Sequence, residues 1–514
     1  MAITIIALAL FGAVIVLMAA YGYKISAKTA EDFMLGGRTI GVVVMFFFVL
    51  FAVSSAWTFY GFPGFLYTQG PGYVVFIWGS VAGFAGLYMF LGPRLWALAK
   101  INRFLSPVEL LAERYESKGL RFIISVSILA FIVPYVSIQP MGVGAGFNAL
   151  TGYPAIWGAA YAAVILIALV LLGGMRIVAW VNIFLGIVYV TALLGSLIWV
   201  VSKLFPDGGL VQAVEILKRR SPEMLSAPGP QSFFSSIKLF GYFFVGLLAF
   251  SWPHISIGCM TARDKSLFKW FPLLIFVFGG LFFYIIPFVW GSIVAPAALP
   301  VEELAAEAAA NNVELQIEAD RVVQTVITRN LPSWFGAYVL LGVIAAAIST
   351  AAVQLMTSSV IVSRDVIQGL FKPEASDKQI TNWARWAVIV IVLASLGVTF
   401  LREGAMALYL TDVSVPGFAQ WAPALVGGLL WKRGTKQGAI AGTLTGVIYL
   451  VLSFVIVVGG ERILAVGGSP VLPSLILNTI VYIVVSKLTP RPSEAIEHQF
   501  FDEVSEYLRA ETRS

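Results

Sequence analysis

Long apolar segments constrain this chain more than any other feature of its sequence. Thirteen such segments follow one another over almost the whole length of 514 residues. They cover residues 3–22, 40–66, 72–93, 121–147, 154–173, 177–201, 237–260, 271–294, 332–361, 383–401, 405–430, 437–458 and 468–486. Most of them approach or exceed the roughly 20 residues that a helix needs to cross the hydrocarbon of a bilayer. We therefore predict an all-α integral membrane protein with about 13 transmembrane helices.

The composition excludes several other classes of protein. Charged residues make up 12% of the chain, whereas ordinary soluble domains contain about 25%. The net charge of +6 arises from basic residues in short loops, so we expect no nucleic-acid partner. Two histidines, His254 and His498, and one cysteine, Cys259, are too few for a transition-metal site or an intrachain disulfide. No glycine-rich loop has the spacing of a phosphate-binding motif. We expect no cofactor beyond a coupling ion.

The distribution of lysine and arginine predicts the orientation. Segment 3–22 lacks a basic leader and is followed by Lys24 and Lys28, as in an uncleaved span with its N-terminus outside. With that start, 24 of the 33 lysines and arginines lie at the inner face. Positive charge in short loops marks the cytoplasmic side. We predict a multi-pass protein of the cell membrane with an outer N-terminus and a cytoplasmic C-terminus.

The spacing of the segments predicts six regions. Residues 204–236 and 298–331 form long outer connections that we interpret as surface helices. The tail has apolar residues at helical spacing between acids, which is typical of an amphipathic helix on the inner surface. The predicted regions are an N-terminal extra helix and loop (1–38), a first five-helix repeat (39–203), an outer loop (204–236), a second five-helix repeat (237–430), two C-terminal helices (431–486) and a cytoplasmic tail (487–514).

Two helices should be interrupted inside the membrane. One contains Ser54 and Ser55 before a Gly-Phe-Pro-Gly turn at 61–64, and the other contains Ser-Trp-Pro-His at 251–254. Proline removes a backbone hydrogen bond and kinks a helix. Each interruption falls in the first of five consecutive spans, and an odd number of spans inverts one half relative to the other. This pattern predicts a 5+5 inverted-repeat transporter with a broken first helix in each half.

Segment 332–361 brings hydroxyl groups into the membrane. Its centre contains Ser349 and Thr350 among alanines. Small residues let helices approach closely. Hydroxyls that face the freed carbonyls of a broken helix would form an all-oxygen cage suited to Na⁺. The alternative is simple helix packing, with each hydroxyl bonded back to its own helix.

Several motifs also resemble, in order, those of the solute:sodium symporter family over nearly the whole chain. They are Asp-Phe-Met-Leu-Gly-Gly-Arg at 32–38, Gly-Phe-Pro-Gly at 61–64, Gly-Gly-Met-Arg at 173–176 with Ala-Trp at 179–180, Trp-Pro-His-Ile at 252–255, and Ala-Ile-Ser-Thr at 347–350 with Gln354, Leu355 and Asp365. The resemblance implies the leucine-transporter-type fold, with ten core helices formed by our second to eleventh segments. It also implies sodium-coupled solute uptake by alternating access.

The resemblance further implies a set of sodium ligands. These are the carbonyl oxygens of Phe51, Ser54 and Ala346 and the hydroxyl oxygens of Ser349 and Thr350. The chain departs from the family pattern at Asn182, where some members have an aspartate, and at Ala346, where they have a serine for a second sodium. We therefore expect one sodium ion per solute. Gly258 replaces a family arginine, so the inner-gate contacts of related members are in doubt here.

The solute should bind beside the sodium ion, at the two breaks. Candidate contacts are Ser55, Ala56, Trp57, Tyr60, Gln139, Ser251, Trp252, His254, Gln420 and Trp421. This set is rich in aromatic residues and poor in charge, and some of its rings could instead only pack or face lipid. A carboxylate could face half-helix N-termini without an arginine. The motifs look most similar to the monocarboxylate and pantothenate branches. Proline, other amino acids, sugars and proton coupling remain alternatives.

Asp412 is an acid well inside an apolar segment, which makes it a functional candidate by default. It could tune a gate, bind a proton or pair with an arginine of an outer loop. A membrane sensor would need a longer C-terminal domain than residues 487–514 provide. A membrane enzyme would need clustered acids, histidines or a nucleophile, so we expect no enzymatic activity. The sequence leaves the solute and the oligomeric state open.

Overall fold

A computed structural model of the chain describes residues 2–25, 29–401, 406, 409–457, 462–466 and 469–513. Helices make up nearly all of this part of the chain. Ten of these helices are long and apolar enough to cross a bilayer, and twelve spans result if each of two bent pairs counts as one. The predicted all-α membrane fold is confirmed. Positions 405, 458 and 468, where three predicted segments begin or end, lie outside the described residues.

Fifteen helical stretches organise the fold. We number them α1 (Ala2–Ile25), α2 (Val42–Ala52), α3 (Trp57–Gln69), α4 (Pro71–Asn102), α5 (Lys118–Thr151), α6 (Ala155–Leu204), α7 (Ser236–Thr261), α8 (Ser266–Gly280), α9 (Ile286–Ala298), α10 (Val301–Ala310), α11 (Ser333–Phe371), α12 (Asp377–Leu401), α13 (Tyr409–Leu430), α14 (Lys436–Val455) and α15 (Val471–Leu488). Every predicted segment overlaps at least one of them.

Helix α6 contains two predicted segments. Its 50 residues would extend about 75 Å as one helix, more than twice the thickness of a bilayer core. Gly174 interrupts it with φ 61° and ψ −174°, values that glycine adopts without a steric penalty. An added Cβ at Gly174 would lie 3.1 Å from the carbonyl oxygen of Phe33. The break between segments 154–173 and 177–201 therefore lies against the short helix Ala30–Leu35.

Helix α11 lies at the centre of the bundle. In its most apolar 18-residue window 94% of the residues are buried, compared with 33% in α1 and 33% in α15. Small side chains allow this burial, because they let neighbouring backbones approach. At Gly342, for example, an added Cβ would lie 2.4 Å from the Cβ of Ala192 on α6. The hydroxyls of Ser349 and Thr350 are therefore positioned deep inside the protein.

The connection 298–331, which the sequence predicts to lie outside, forms a cap over the C-terminal end of α3. Tyr60 donates a hydrogen bond to Gln324 Oε1 at 2.7 Å, and Thr68 donates to Gln316 Oε1 at 2.6 Å. The carboxylate of Asp320 accepts a hydrogen bond from the backbone N–H of Met406 at 2.7 Å. The cap thus contacts both α3 and Met406, which lies just before α13.

Charged side chains join the inner ends of the helices. Asp365, at the inner end of α11, pairs with Arg121 of α5 at 3.1 Å and accepts a hydrogen bond from Ser106 at 2.5 Å. Arg364 pairs with Glu109 at 2.7 Å. These pairs join the segment between α4 and α5 to the C-terminal end of α11.

The C-terminal tail is helical, but its apolar face packs on the protein. Phe500 and Phe501 are 1% and 5% exposed. The Phe500 ring stacks on Phe104 with 6.3 Å between centroids, and Lys432 pairs with Asp502 at 2.8 Å. Part of the apolar face of the tail therefore packs against other parts of the same chain, and its position at the inner membrane surface stays a prediction.

Candidate functional site

The first candidate site begins at the interruption between α2 and α3. The two helices meet at 57°. In a continuous helix the N–H of Ser55 would donate to the carbonyl of Phe51, but here it donates to Thr58 Oγ1 at 3.2 Å. The helical pattern resumes with Phe59 N–H donating to Ser55 O at 3.2 Å. The predicted break is thus present, and it changes the direction of the carbonyls on either side.

Those carbonyls face the hydroxyls of Ser349 and Thr350 on α11. Ser349 Oγ lies 2.9 Å from Phe51 O, 3.3 Å from Ser54 O and 2.8 Å from Ala346 O. Thr350 Oγ1 lies 3.3 Å from Phe51 O and 2.9 Å from Ser54 O. All five residues that the sequence assigned to sodium binding therefore converge in one buried crevice between α2 and α11.

This arrangement has the donor atoms of an oxygen cage, which hydrogen bonds hold together in this structure. Oxygen ligands at about 2.4 Å from a hard cation lie about 3.4 Å from their neighbours in octahedral geometry. The hydroxyl-to-carbonyl distances of 2.8–3.3 Å are slightly shorter. Two hydroxyl protons cannot bond to three carbonyl oxygens at once, whereas a cation at the centre could be shared by all five oxygens. None of the five side chains is ionisable, so the cage is neutral before an ion enters.

Asn182 of α6 is the neutral residue that stands where the resemblance implies an acid. Its side chain is 0% exposed, and neither amide atom has a hydrogen-bond partner in the described part of the chain. Among the described residues there is no group of three or more His, Cys, Asp or Glu that could hold a metal ion. A second cation at this position would meet an uncharged amide.

The second candidate site lies at the interruption of α7. Trp252 has extended backbone angles, φ −69° and ψ 120°, and a new helical turn begins at Pro253. The rings of Trp252 and His254 stack with 5.6 Å between centroids. Tyr135 of α5 lies edge-on to both, at 5.5 Å and 5.6 Å. Phe84 and Phe418 border the same cluster at 5.3 Å from Trp252 and 6.5 Å from His254.

Three polar atoms of this aromatic cluster have no partner among the described residues. They are Trp252 Nε1 and both ring nitrogens of His254. His254 is 0% exposed and Trp252 is 3% exposed. Buried polar atoms normally form hydrogen bonds, because leaving one unsatisfied costs about 1–3 kcal/mol. Three such atoms within one cluster are the feature expected of a site that receives a polar ligand.

Several predicted solute contacts lie between the two breaks. The N–H of Ala56 donates to Gln139 Oε1 of α5 at 3.1 Å. Trp421 Nε1 donates to the carbonyl of Ser251 at 2.6 Å, so α13 reaches the second break. The hydroxyl of Ser251 donates back to Leu248 O in its own helix. Ser55 Oγ is buried and without a partner among the described residues.

Three other predicted contacts point elsewhere. Trp57 packs into an outer aromatic wall, with Phe62 at 5.4 Å and Phe76 at 5.6 Å. Tyr60 bonds to the outer cap, as described above. The amide of Gln420 faces α15: its Nε2 donates to Ser474 at 3.0 Å and its Oε1 accepts from Asn478 at 3.1 Å. Its amide is used in packing α13 against α15.

The structure adds residues that sequence reasoning missed. Tyr135, Phe84 and Phe418 lie on three different helices, and only the folded chain brings their rings to Trp252 and His254. A signal for Tyr135 was available, because it lies one helical turn before Gln139 and beside Pro134. Asp412, which the sequence did single out, follows one of its predicted alternatives: it pairs with Arg462 of the connection between α14 and α15 at 2.5 Å.

Comparisons with known proteins agree with these observations. The model of the "Sodium:solute symporter family" matches residues 33–446. The high-affinity proline transporter of Bacillus subtilis is 25% identical over 94% of this chain and 98% of its own length. A sodium/proline symporter of Staphylococcus aureus is 25% identical over 96% of this chain and 94% of its own length.

Solved structures share the fold. A sodium-coupled sialic acid symporter, in a substrate-bound outward-open state, superposes with a TM-score of 0.74 at 16% identity, covering 96% of this chain and 99% of that one. A nucleobase-cation-symport-1 family transporter gives 0.57 at 13% identity, covering 91% and 97%. The fold is therefore that of leucine-transporter-type symporters.

Proposed function

This chain belongs to the sodium:solute symporter family, and we propose that its solute is a small carboxylate-bearing molecule, with proline as the first candidate. Its general activity follows from the family: it is a multi-pass membrane transporter that couples a solute to sodium. Its curated relatives named above transport proline. Our sequence interpretation favoured a monocarboxylate or pantothenate, which share the carboxylate with proline but lack its ring amine.

We place the coupling ion in the five-oxygen crevice between α2 and α11. The single observation that carries this assignment is the convergence of Ser349 Oγ and Thr350 Oγ1 on the carbonyls of Phe51 and Ser54 within 3.3 Å. Sodium fits such a site because it is a hard cation that binds neutral oxygens. Proton coupling would require an ionisable group, and none of the five ligands has one.

We place the solute at the aromatic cluster around Trp252 and His254. An apolar ring the size of proline can pack between aromatic faces, which gain contact area at little entropic cost. The unpartnered N–H of Trp252 and the ring nitrogens of His254 would bind the carboxylate or amine of the solute. Since these residues carry no permanent charge, the site suits a zwitterion or a monoanion better than a highly charged solute.

Uptake into proteoliposomes tests the proposal directly. Purified full-length protein would be reconstituted and supplied with labelled proline under an inward sodium gradient. We expect accumulation above the external concentration that disappears when potassium replaces sodium or when an ionophore dissipates the gradient. Unlabelled lactate, pantothenate and glucose added in excess would show whether another solute competes better. Sodium-dependent uptake of none of these solutes would contradict the assignment, and uptake driven by a pH gradient alone would contradict sodium coupling.

We further propose the orientation predicted from the basic residues, with the N-terminus outside and the C-terminus in the cytoplasm. Single cysteines introduced in Cys259→Ser protein at Ser221 and at Ser493 would report the side of each loop. We expect a membrane-impermeant maleimide to label Ser221→Cys in intact cells and Ser493→Cys only after the cells are opened. The reverse pattern would invert the topology.

A further inference from the structure

One surface cavity, at the predicted inner face of the membrane, is lined by residues that belong to neither the proposed ion site nor the proposed solute site. Its volume is about 300 Å³, and it lies between the end of α1, the short helix Ala30–Leu35, the Gly174 break of α6 and the first turns of α12. It is lined by Tyr23, Phe33, Leu172, Gly173, Lys378, Thr381, Asn382 and Arg385. From this cavity we infer a binding site for the phosphate headgroup of an anionic phospholipid of the inner leaflet.

The polar side of the cavity is one face of α12. Positions 378, 381, 382 and 385 have the spacing i, i+3, i+4 and i+7, which places them on one stripe of a helix. Lys378 and Arg385 therefore project from the same face, two turns apart. Lys378 is exposed. Asp377, in the same first turn, accepts a hydrogen bond from Ala30 N–H at 3.5 Å, which directs its carboxylate to the neighbouring helix.

Neither cation of this stripe is neutralised within the described part of the chain. The nearby Arg176 pairs with Asp32 at 2.5 Å, whereas Lys378 and Arg385 form no ion pair among the described residues. The Arg385 guanidinium lies over the Phe33 ring at 5.5 Å, and its Nε is buried without a hydrogen-bond partner. An arginine held in place by an aromatic ring with an unsatisfied donor is prepared to bind an anion, since its fork matches phosphate geometry.

The depth of the cavity matches the headgroup layer. Trp383 and Trp386 flank the stripe, and Trp386 is 65% exposed. Tryptophan side chains concentrate at the level of lipid headgroups. Lys372 lies over the Trp383 ring at 5.6 Å, as expected at an interface between water and lipid. Arg385 thus lies at the depth where a phosphate is available.

Apolar surface continues from the cavity toward the membrane centre. Leu17 and Tyr21 of α1 are 69% and 66% exposed, and Val390 and Leu393 of α12 are 61% and 58% exposed. These side chains offer a path for acyl chains, which a soluble phosphate lacks. A volume of about 300 Å³ is at the lower end for small-molecule pockets, so the cavity holds a headgroup while the chains remain in the bilayer. Basic pockets between helices on the cytoplasmic side bind anionic lipids in this way.

Lipid titration of the purified full-length protein tests the site. Native mass spectrometry after delipidation would measure binding of phosphatidylglycerol, phosphatidylcholine and inorganic phosphate separately. We expect saturable binding of phosphatidylglycerol that exceeds binding of both other probes. The double variant Lys378→Gln with Arg385→Gln should bind phosphatidylglycerol roughly 30-fold more weakly, because each basic residue contributes about fivefold near the surface.

A matched control separates this site from general surface charge. Lys118→Gln with Lys487→Gln also removes two exposed inner-face cations, but neither residue lines the cavity. It should bind phosphatidylglycerol as the wild type does. Equal binding by the wild type and the cavity variant would overturn the proposal, and so would inorganic phosphate binding that matches phosphatidylglycerol. Monodisperse gel filtration of each variant would exclude misfolding. The readout is lipid binding, so it does not depend on which solute is transported.

Discussion

Removing one hydroxyl from α11 should weaken sodium coupling without disturbing the fold. Thr350 Oγ1 lies 2.9 Å from Ser54 O, and Ser349 Oγ lies 2.9 Å from Phe51 O. In Thr350→Ala or Ser349→Ala the ion loses one of the five proposed ligands in a site with almost no exposed surface. A lost hydrogen bond to a charged group costs about 1.5–3 kcal/mol. The sodium concentration for half-maximal uptake should therefore rise roughly 10- to 150-fold.

The same helix supplies a matched control. Thr357 is also fully buried on α11, but its hydroxyl donates only to Val353 O of the same helix, at 2.9 Å. Thr357→Ala removes an equal volume from the same interior and takes nothing from the proposed site. We expect it to keep the wild-type sodium dependence. Thr350→Ser, which retains the hydroxyl, should lie much closer to the wild type than Thr350→Ala does.

The assay is initial-rate uptake in proteoliposomes at a fixed solute concentration, with sodium varied and choline replacing it. The amount of reconstituted protein is measured for each variant, so that a change in expression is not read as a change in affinity. If Ser349→Ala and Thr350→Ala both keep the wild-type sodium dependence, the ion does not bind between α2 and α11. An equal loss in Thr357→Ala would mean that the helix tolerates no truncation, and the effect would then be structural.

Three further predictions concern the solute, the stoichiometry and the outer cap. Trp252→Ala should raise the solute concentration for half-maximal uptake about 10-fold or more, because an aromatic contact and an N–H donor are lost; an equal rise in the sodium constant would indicate a folding defect instead. Because Asn182 is neutral, the charge-to-flux ratio with zwitterionic proline should be about one in voltage-clamped liposomes, and a ratio near two would require a second sodium. Burial raises the pKa of Asp320 to about 7, above its unfolded value of about 4. The folded state then binds the extra proton, so stability should fall as pH rises from about 4 to about 7. In thermal unfolding of the detergent-solubilised protein, Asp320→Asn should flatten this pH dependence. An unchanged dependence of stability on pH would contradict the raised pKa of Asp320.

The sequence predicted the elements of the fold because membrane helices have a required length and composition. A run of about 20 apolar residues indicates a transmembrane helix. The two breaks were also predictable, since Pro253 and the paired serines at 54–55 are local signals that act on their own backbone. Between the predicted segments 154–173 and 177–201, the chain continues as helical turns across Gly174, a glycine with positive φ.

Side-chain direction was harder to predict than element position. Ser349 and Thr350 were assigned through the family resemblance. Adjacent helical residues point about 100° apart, so both hydroxyls reach one point only in a crevice between two helices. The hydrogen bonds of Gln420 could not be predicted from the sequence, because its partners, Ser474 and Asn478, lie more than fifty residues away on α15. For Asp412, pairing with an arginine of an outer loop was one of the predicted alternatives, and only the folded chain identifies that arginine as Arg462.

Helix α5 connects the proposed ion site to the proposed solute site. Gln139 of α5 accepts a hydrogen bond from Ala56 N–H at 3.1 Å, two residues after Ser54, whose carbonyl faces Thr350. One turn earlier on α5, Tyr135 lies against Trp252 and His254. A sodium ion that holds the Ser54 carbonyl against α11 would fix the backbone that Gln139 recognises, and with it the face of α5 that supports the aromatic cluster. Coupling energies between sites are typically 1–3 kcal/mol. A sodium ion bound to the carbonyls of Phe51 and Ser54 can supply a coupling energy of this size, because its charge holds those carbonyls in one orientation.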